Sequence, residues 1–118
     1  MKLEDLLAYQ TDILILETGK PLFTAGERGN EMYVLMSGRA DIIVRDRVVE
    51  TAEMGAVLGE MALIDNSPRA ATVIATADCN LVAINAERFN ALVRDVPDFA
   101  LYVMRGMAER LRKTGKLL

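Results

Sequence analysis

The chain has 118 residues and a mass of 13.0 kDa, enough for one domain whose core needs no metal or disulfide staple. With 52% hydrophobic and 26% charged residues it is an ordered globular chain, and a net charge of -3 argues against general polyanion binding, so no nucleic acid is expected to bind this chain by itself. There is no histidine and one cysteine, Cys79, which excludes histidine-based triads, histidine-ligated metals and an internal disulfide.

The start, Met1-Lys2-Leu3-Glu4-Asp5-Leu6-Leu7, lacks the apolar region of a secretory signal, and no run approaches the roughly 20 residues of a membrane span. A cytoplasmic protein with no membrane span is expected. Residues 3–9 read as a short helix, and Asp12 to Glu17 as a strand. Gly19-Lys20-Pro21 is a turn before a brief strand at Leu22-Phe23, and Ala25 to Asn30 is a second turn. Strands follow at Met32 to Met36 and Ala40 to Val44. Arg45-Asp46-Arg47 reads as a hairpin tip before Val48-Val49, and further strands lie at Ala56-Val57-Leu58 and Ala71 to Ile74. Cys79, ahead of Leu81-Val82-Ala83-Ile84, reads as a small core residue.

The last third turns helical. Asn85 is a candidate N-cap for a helix from Ala86 to Val93, and Pro97 suits the first turn of a second helix running to about Lys113, with Gly115 ending it. The whole reads as mainly β: an antiparallel, jelly-roll-like β-roll with a short N-terminal helix, a further short helix after Gly59 and two C-terminal helices. Residues 1–118 are taken as a single domain. Met32, Met36, Met54 and Met61 are expected in the core. Ala100, Met104, Met107 and Leu111 form a seam at spacings of four, three and four, which is either packed on the roll or a homodimer contact through the last helix. Arg105, Glu109, Arg110, Arg112 and Lys113 read as a solvated face; one of these arginines could stack on a ligand's aromatic ring, but spacing does not say which.

One segment breaks the strand rhythm: Gly59-Glu60-Met61-Ala62-Leu63-Ile64-Asp65-Asn66-Ser67-Pro68-Arg69-Ala70. Gly59 permits a sharp turn, Glu60 to Ile64 is about one turn of helix, and Asp65 to Pro68 ends it. The start of such a helix offers unpaired N–H groups to an anion, Arg69 adds a planar donor fork suited to phosphate, and Glu60 adds an acceptor for a hydroxyl. A nucleoside cyclic monophosphate, with a ring phosphate and a free ribose 2′-OH, carries that pair of groups. On the residues alone, Arg69 and Glu60 could equally form a surface ion pair of about 0–1 kcal/mol.

Leu58 to Val73 resembles the phosphate-binding cassette of cyclic-nucleotide-binding domains, found in protein kinase A regulatory subunits, cyclic-nucleotide-gated channels and bacterial regulators of the cAMP-receptor class. It departs from that pattern at Leu58, where the family usually has phenylalanine. Phe23 to Gly38, with its two glycines, Tyr33 and Ser37-Gly38, resembles the family's first-half signature. The resemblance implies a β-roll sensor that binds cAMP or cGMP and relays a conformational change. It implies that Arg69 holds the cyclic phosphate and Glu60 the 2′-OH, with Gly59, Met61, Ala62, Ala70 and Ala71 completing the ligand site. Members favouring cGMP often carry Thr or Ser where this chain has Ala70, which points toward cAMP. No catalytic residue, metal or resident cofactor is implied, and the effector, whether an attached domain or a separate protein, is not visible. The alternative is a ligand-free relative that uses the roll as a protein-interaction module. Ligand closure of the cassette is expected to move Leu63 and Ile64 against the face of Phe99, Val103 and Met107.

Overall fold

The computed structural model describes residues 1–9 and 12–113. A 3-10 helix spans Leu3–Tyr9, followed by strands β1 (Asp12–Leu16), β2 (Pro21–Phe23), β3 (Glu31–Ser37), β4 (Ala40–Val44), β5 (Arg47–Ala52) and β6 (Val57–Leu58). The short helix α1 (Met61–Ile64) interrupts the strands. Then come β7 (Thr72–Ala75), β8 (Cys79–Asn85) and the helices α2 (Ala86–Asp95) and α3 (Asp98–Lys113). Among the described residues no helix is long and apolar enough to cross a membrane.

The eight strands form two antiparallel four-stranded sheets, in the orders β1-β8-β3-β6 and β2-β7-β4-β5. This is the mainly-β roll that the turn spacing predicts. One core fills the space between the sheets, with Leu16, Leu35, Ile42, Leu58, Val73 and Leu81 buried there. A second lies between the first sheet and the helices, built on Leu6, Met32, Val82, Ile84, Phe99 and Val103. β8 feeds both: Leu81 belongs to the first core, and Val82 and Ile84 to the second. A strand covered on both faces carries a continuous apolar run rather than an alternating one, and Leu81-Val82-Ala83-Ile84 is such a run.

Local chemistry explains the helical third. The Asn85 side chain accepts from Arg88 N at 2.9 Å and so caps α2. Phe89 of α2 meets Phe99 of α3 edge to face, with ring centroids 5.6 Å apart. Pro97 stands immediately before α3, where its missing N–H costs nothing. Gly115 lies outside the described residues. On α3, Phe99 and Val103 are buried and Met107 packs beside them, whereas Met104 and Leu111 of the expected seam are exposed.

Two expectations are corrected. Met54 is 70% exposed, because it falls in the turn between β5 and β6 rather than on a strand face. Met61 is exposed because it lines a cavity, described below. Leu63 packs into the second core beside Phe99, Val103 and Met107, and Ile64, one residue further around a single helical turn, faces solvent.

Replacing the α2 cap tests this account of the helical third. Asn85→Ala is expected to lose about 1 kcal/mol of stability. Urea denaturation should show a lower midpoint with an unchanged slope, and an unchanged midpoint would remove the cap from the account.

Candidate functional site

Arg69 is delivered by backbone pairing between two loops. Its N–H donates to Glu27 O at 2.8 Å and its C=O accepts from Gly26 N at 2.8 Å. The turn before β3 and the loop before β7 are thus tied together at this residue. Thr72 Oγ1 accepts from Ala25 N, and Arg28 Nη1 donates to Asn66 O, which extends the same seam. Asn66 adopts a left-handed conformation (φ 58), as asparagine tolerates in tight turns.

The Arg69 side chain is only 7% exposed. Its Nη1 donates to Gly59 O at 3.0 Å and its Nη2 to Glu31 O at 2.8 Å, while Nε is buried with no partner among the described residues. The guanidinium carbon lies 4.3 Å from the centroid of the Phe23 ring and 5.8 Å from that of Tyr33. Two glycines make room for it. A Cβ on Gly29 would come within 2.2 Å of Nη2, and one on Gly59 within 2.3 Å of Nη1. Gly59 also has φ 74, where side-chain-bearing residues are strained. Burial raises the pKa of the neighbouring Tyr33 hydroxyl, with Glu31 pushing the same way and Arg69 opposing.

Glu60 precedes α1 and is 6% exposed. A buried carboxylate needs a partner, and it finds Arg110 of α3, whose Nη1 donates to Glu60 Oε1 at 3.3 Å. Nη2 of the same guanidinium donates to Glu50 Oε2 and to Val57 O, each at 3.1 Å. Glu60 and Arg69 therefore do not form the surface pair that was the alternative reading. Both are buried, and each has its own partners. Arg110 does not belong to a solvated face. It ties α3 to the β5 carboxylate, to β6 and to the residue that opens α1.

These groups border one cavity of about 160 Å³. All seven residues singled out in the sequence (Gly59, Glu60, Met61, Ala62, Arg69, Ala70 and Ala71) line it, together with Phe23, Ile42, Leu58, Ser67, Pro68, Val73 and Arg110. A larger open cleft of about 630 Å³ lies between α3 and the β5–β6 segment and shares Arg110 with the first. Tyr102 crosses to Gly55 O at its edge. No cluster of three or more metal-binding side chains occurs among the described residues. The sequence reading missed Phe23, Gly29, Glu50 and Arg110 as parts of this assembly. Phe23 and Gly29 lay within the quoted first-half signature without a role. Arg110 was one of several charges on a helix, and no spacing rule separates it from them.

The chain matches the family model of the cyclic nucleotide-binding domain over residues 13–96 and belongs to that family. It is 34% identical over 79 residues to the cAMP-dependent protein kinase regulatory subunit of Eremothecium gossypii, covering 67% of this chain and 17% of that protein. It is 32% identical over 100 residues to the cyclic AMP receptor protein of Thermus thermophilus, covering 80% of this chain and 46% of the relative. The chain thus spans less than half the length of these two relatives. The crystal structure of the Thermus thermophilus catabolite activator protein superposes with a TM-score of 0.81 at 29% identity, over 95% of this chain and 55% of that one. The family is a ligand-binding one, and its ligand is a cyclic nucleotide.

Gly59→Ala probes the slot directly. The strained φ alone should cost about 1–3 kcal/mol, and the new methyl group displaces Nη1 of Arg69. Thermal unfolding should give a melting temperature lower by several degrees. An unchanged value would show that the turn and the guanidinium relax freely, contrary to the packing described.

Proposed function

We propose that this chain is a single cyclic-nucleotide sensor domain that binds a 3′,5′-cyclic nucleoside monophosphate, preferring cAMP, and passes the event on through α3. The observation that carries the reading is one small cavity bordered by a buried guanidinium and a buried carboxylate. A guanidinium has five N–H donors, and Arg69 uses two of them on carbonyls, so edge donors remain for a phosphate oxygen. Its orphaned Nε marks a charge whose hydrogen bonding is incomplete among the described residues. A cyclic phosphodiester brings a single negative charge, matched to Arg69, which has no carboxylate partner among the described residues; Arg110, the other cation lining the cavity, is committed to Glu60 and Glu50. Glu60 has further lone pairs to accept a ribose 2′-OH. Ala70 offers no hydroxyl to a guanine edge, which favours adenine.

Titration calorimetry tests the reading. Arg69→Ala is expected to weaken cAMP binding roughly 10- to 150-fold, the equivalent of one charge-assisted hydrogen-bonded contact, and Arg69→Lys to recover part of it. 5′-AMP, with about one more negative charge, should bind worse than cAMP. Parental affinity in the alanine variant, or equal affinity for AMP and cAMP, would count against the reading.

The relay rests on Arg110. A ribose hydroxyl that engages Glu60 adds a second donor to the carboxylate that holds Arg110 of α3 and so weakens that pair, while Leu63 of α1 packs in the same core as Phe99 and Val103. A ligand shifts this arrangement only by its differential affinity for the two states. Moving a balance from about 1:9 to 9:1 takes roughly 80-fold, within the reach of the contacts named. Hydrogen exchange with and without cAMP should change protection in residues 59–71 and 97–113 together. In Arg110→Met the second segment should stop responding. A response confined to 59–71 in the parent protein would make this a binder without a switch.

A further inference from the structure

We propose that Phe23 is a positioning residue for the anion site: its ring is the shelf over which the Arg69 guanidinium sits, and this shelf contributes to the affinity for cyclic nucleotide. The inference rests on the reading of Arg69 as the phosphate contact and adds to it a residue that takes no hydrogen bond.

Three observations converge on Phe23. The guanidinium carbon of Arg69 lies 4.3 Å from the ring centroid, inside the roughly 6 Å range of cation–π attraction. The register of β2 against β7 is irregular between Pro21 and Phe23: Pro21 pairs with Ile74 and Phe23 with Val73, so two steps along β2 match one along β7. Such a bulge re-aims the side chain that follows it. It brings Phe23 into register with the buried Val73, and both line the cavity. The ring is then braced by Tyr33, with centroids 6.2 Å apart. Gly29 and Gly59 close on the same guanidinium, since a Cβ on either would collide with it.

The geometry separates two functions of one group. The guanidinium lies over the Phe23 ring, and the ring takes no hydrogen bond from it. Two of its N–H donors hold Gly59 O and Glu31 O. A phosphate needs N–H donors and the ring uses none, so the ring contact and anion binding do not compete for them. An arginine side chain has many rotamers to lose, and ordering it only when ligand arrives subtracts from affinity. A shelf that orders it beforehand removes that loss. Leucine at position 23 would keep apolar bulk against the first core and offer no π-face.

The test is cAMP titration of the parent, Phe23→Leu, Phe23→Tyr, Arg69→Lys and the Phe23→Leu/Arg69→Lys double variant, with thermal unfolding alongside to confirm that each is folded. Phe23→Leu is expected to lose about 2- to 30-fold in affinity, the range of a cation–π contact, and Phe23→Tyr to keep parental affinity. In the Arg69→Lys background, which lacks the planar group, the leucine substitution should cost clearly less than in the parent. A merely structural role would cost the same in both backgrounds and would overturn the inference, as would parental or tighter binding by Phe23→Leu. Should Phe23→Leu fail to fold, Phe23→Trp decides. The chain has no tryptophan, so the new indole can be excited selectively over the tyrosines, and its emission should change with cAMP while affinity is kept. A silent, weakened tryptophan variant would overturn the shelf. Parental binding that is lost in Arg69→Ala but indifferent to position 23 sinks this inference alone, whereas a parent that binds no cyclic nucleotide sinks the functional reading and this one with it.

Discussion

A buried positive charge sets the terms for this half of the molecule. Arg69 is nearly inaccessible to water, and a guanidinium in that position must be compensated on every side. Two carbonyls accept from it, an aromatic ring covers one face, and two residues without side chains leave it space. Those partners come from β2, from the turn before β3, from β3 itself and from the turn before α1. Apart from Gly59, ten residues back, none is near Arg69 in sequence. The roll has to be assembled before the charge can be housed, and once housed the charge fixes where these segments meet. Glu60 repeats the problem with opposite sign and solves it through α3.

Much of this was legible in the order of residues, for physical reasons that differ from place to place. Glycine at 59 and the helix breakers at 65–68 announce a one-turn helix between strands, because few residue types can do anything else there. Asn85 announces a helix start for the same reason. The unbroken apolar run in β8 marks a strand but does not say that it walls two cores, since burial on both faces is a tertiary fact. Met54 and Met61 look like core by composition and are exposed. A flexible apolar side chain fits a turn or a cavity rim as readily as an interior.

The site divided along the same line. Its seven cassette residues lie within one stretch of chain, and local pattern reaches them. Phe23, Gly29, Glu50 and Arg110 come to it from elsewhere, through strand register and helix docking. A strand bulge such as the one at β2 leaves no mark that turn residues or periodicity reveal. Arg110 differs from Arg105 and Arg112 only in its rotation about α3, which packing alone decides.

The two ends of α3 are held by unlike forces. Near its start, Phe99 and Val103 are sealed in an apolar core, a contact that dissolved salt does not weaken. Near its end, Arg110 reaches two carboxylates and Lys113 approaches Glu50 at 3.9 Å, with the lysine 68% exposed. Charges that open to water are screened over about 8 Å at physiological ionic strength. Rising salt therefore releases the exposed Lys113 contact first, while the Arg110 bonds to Glu50 and buried Glu60 are screened far less and the near end stays seated. The helix is a lever hinged on grease and latched on charge, and the electrolyte around the domain reaches only the outermost catch of the latch.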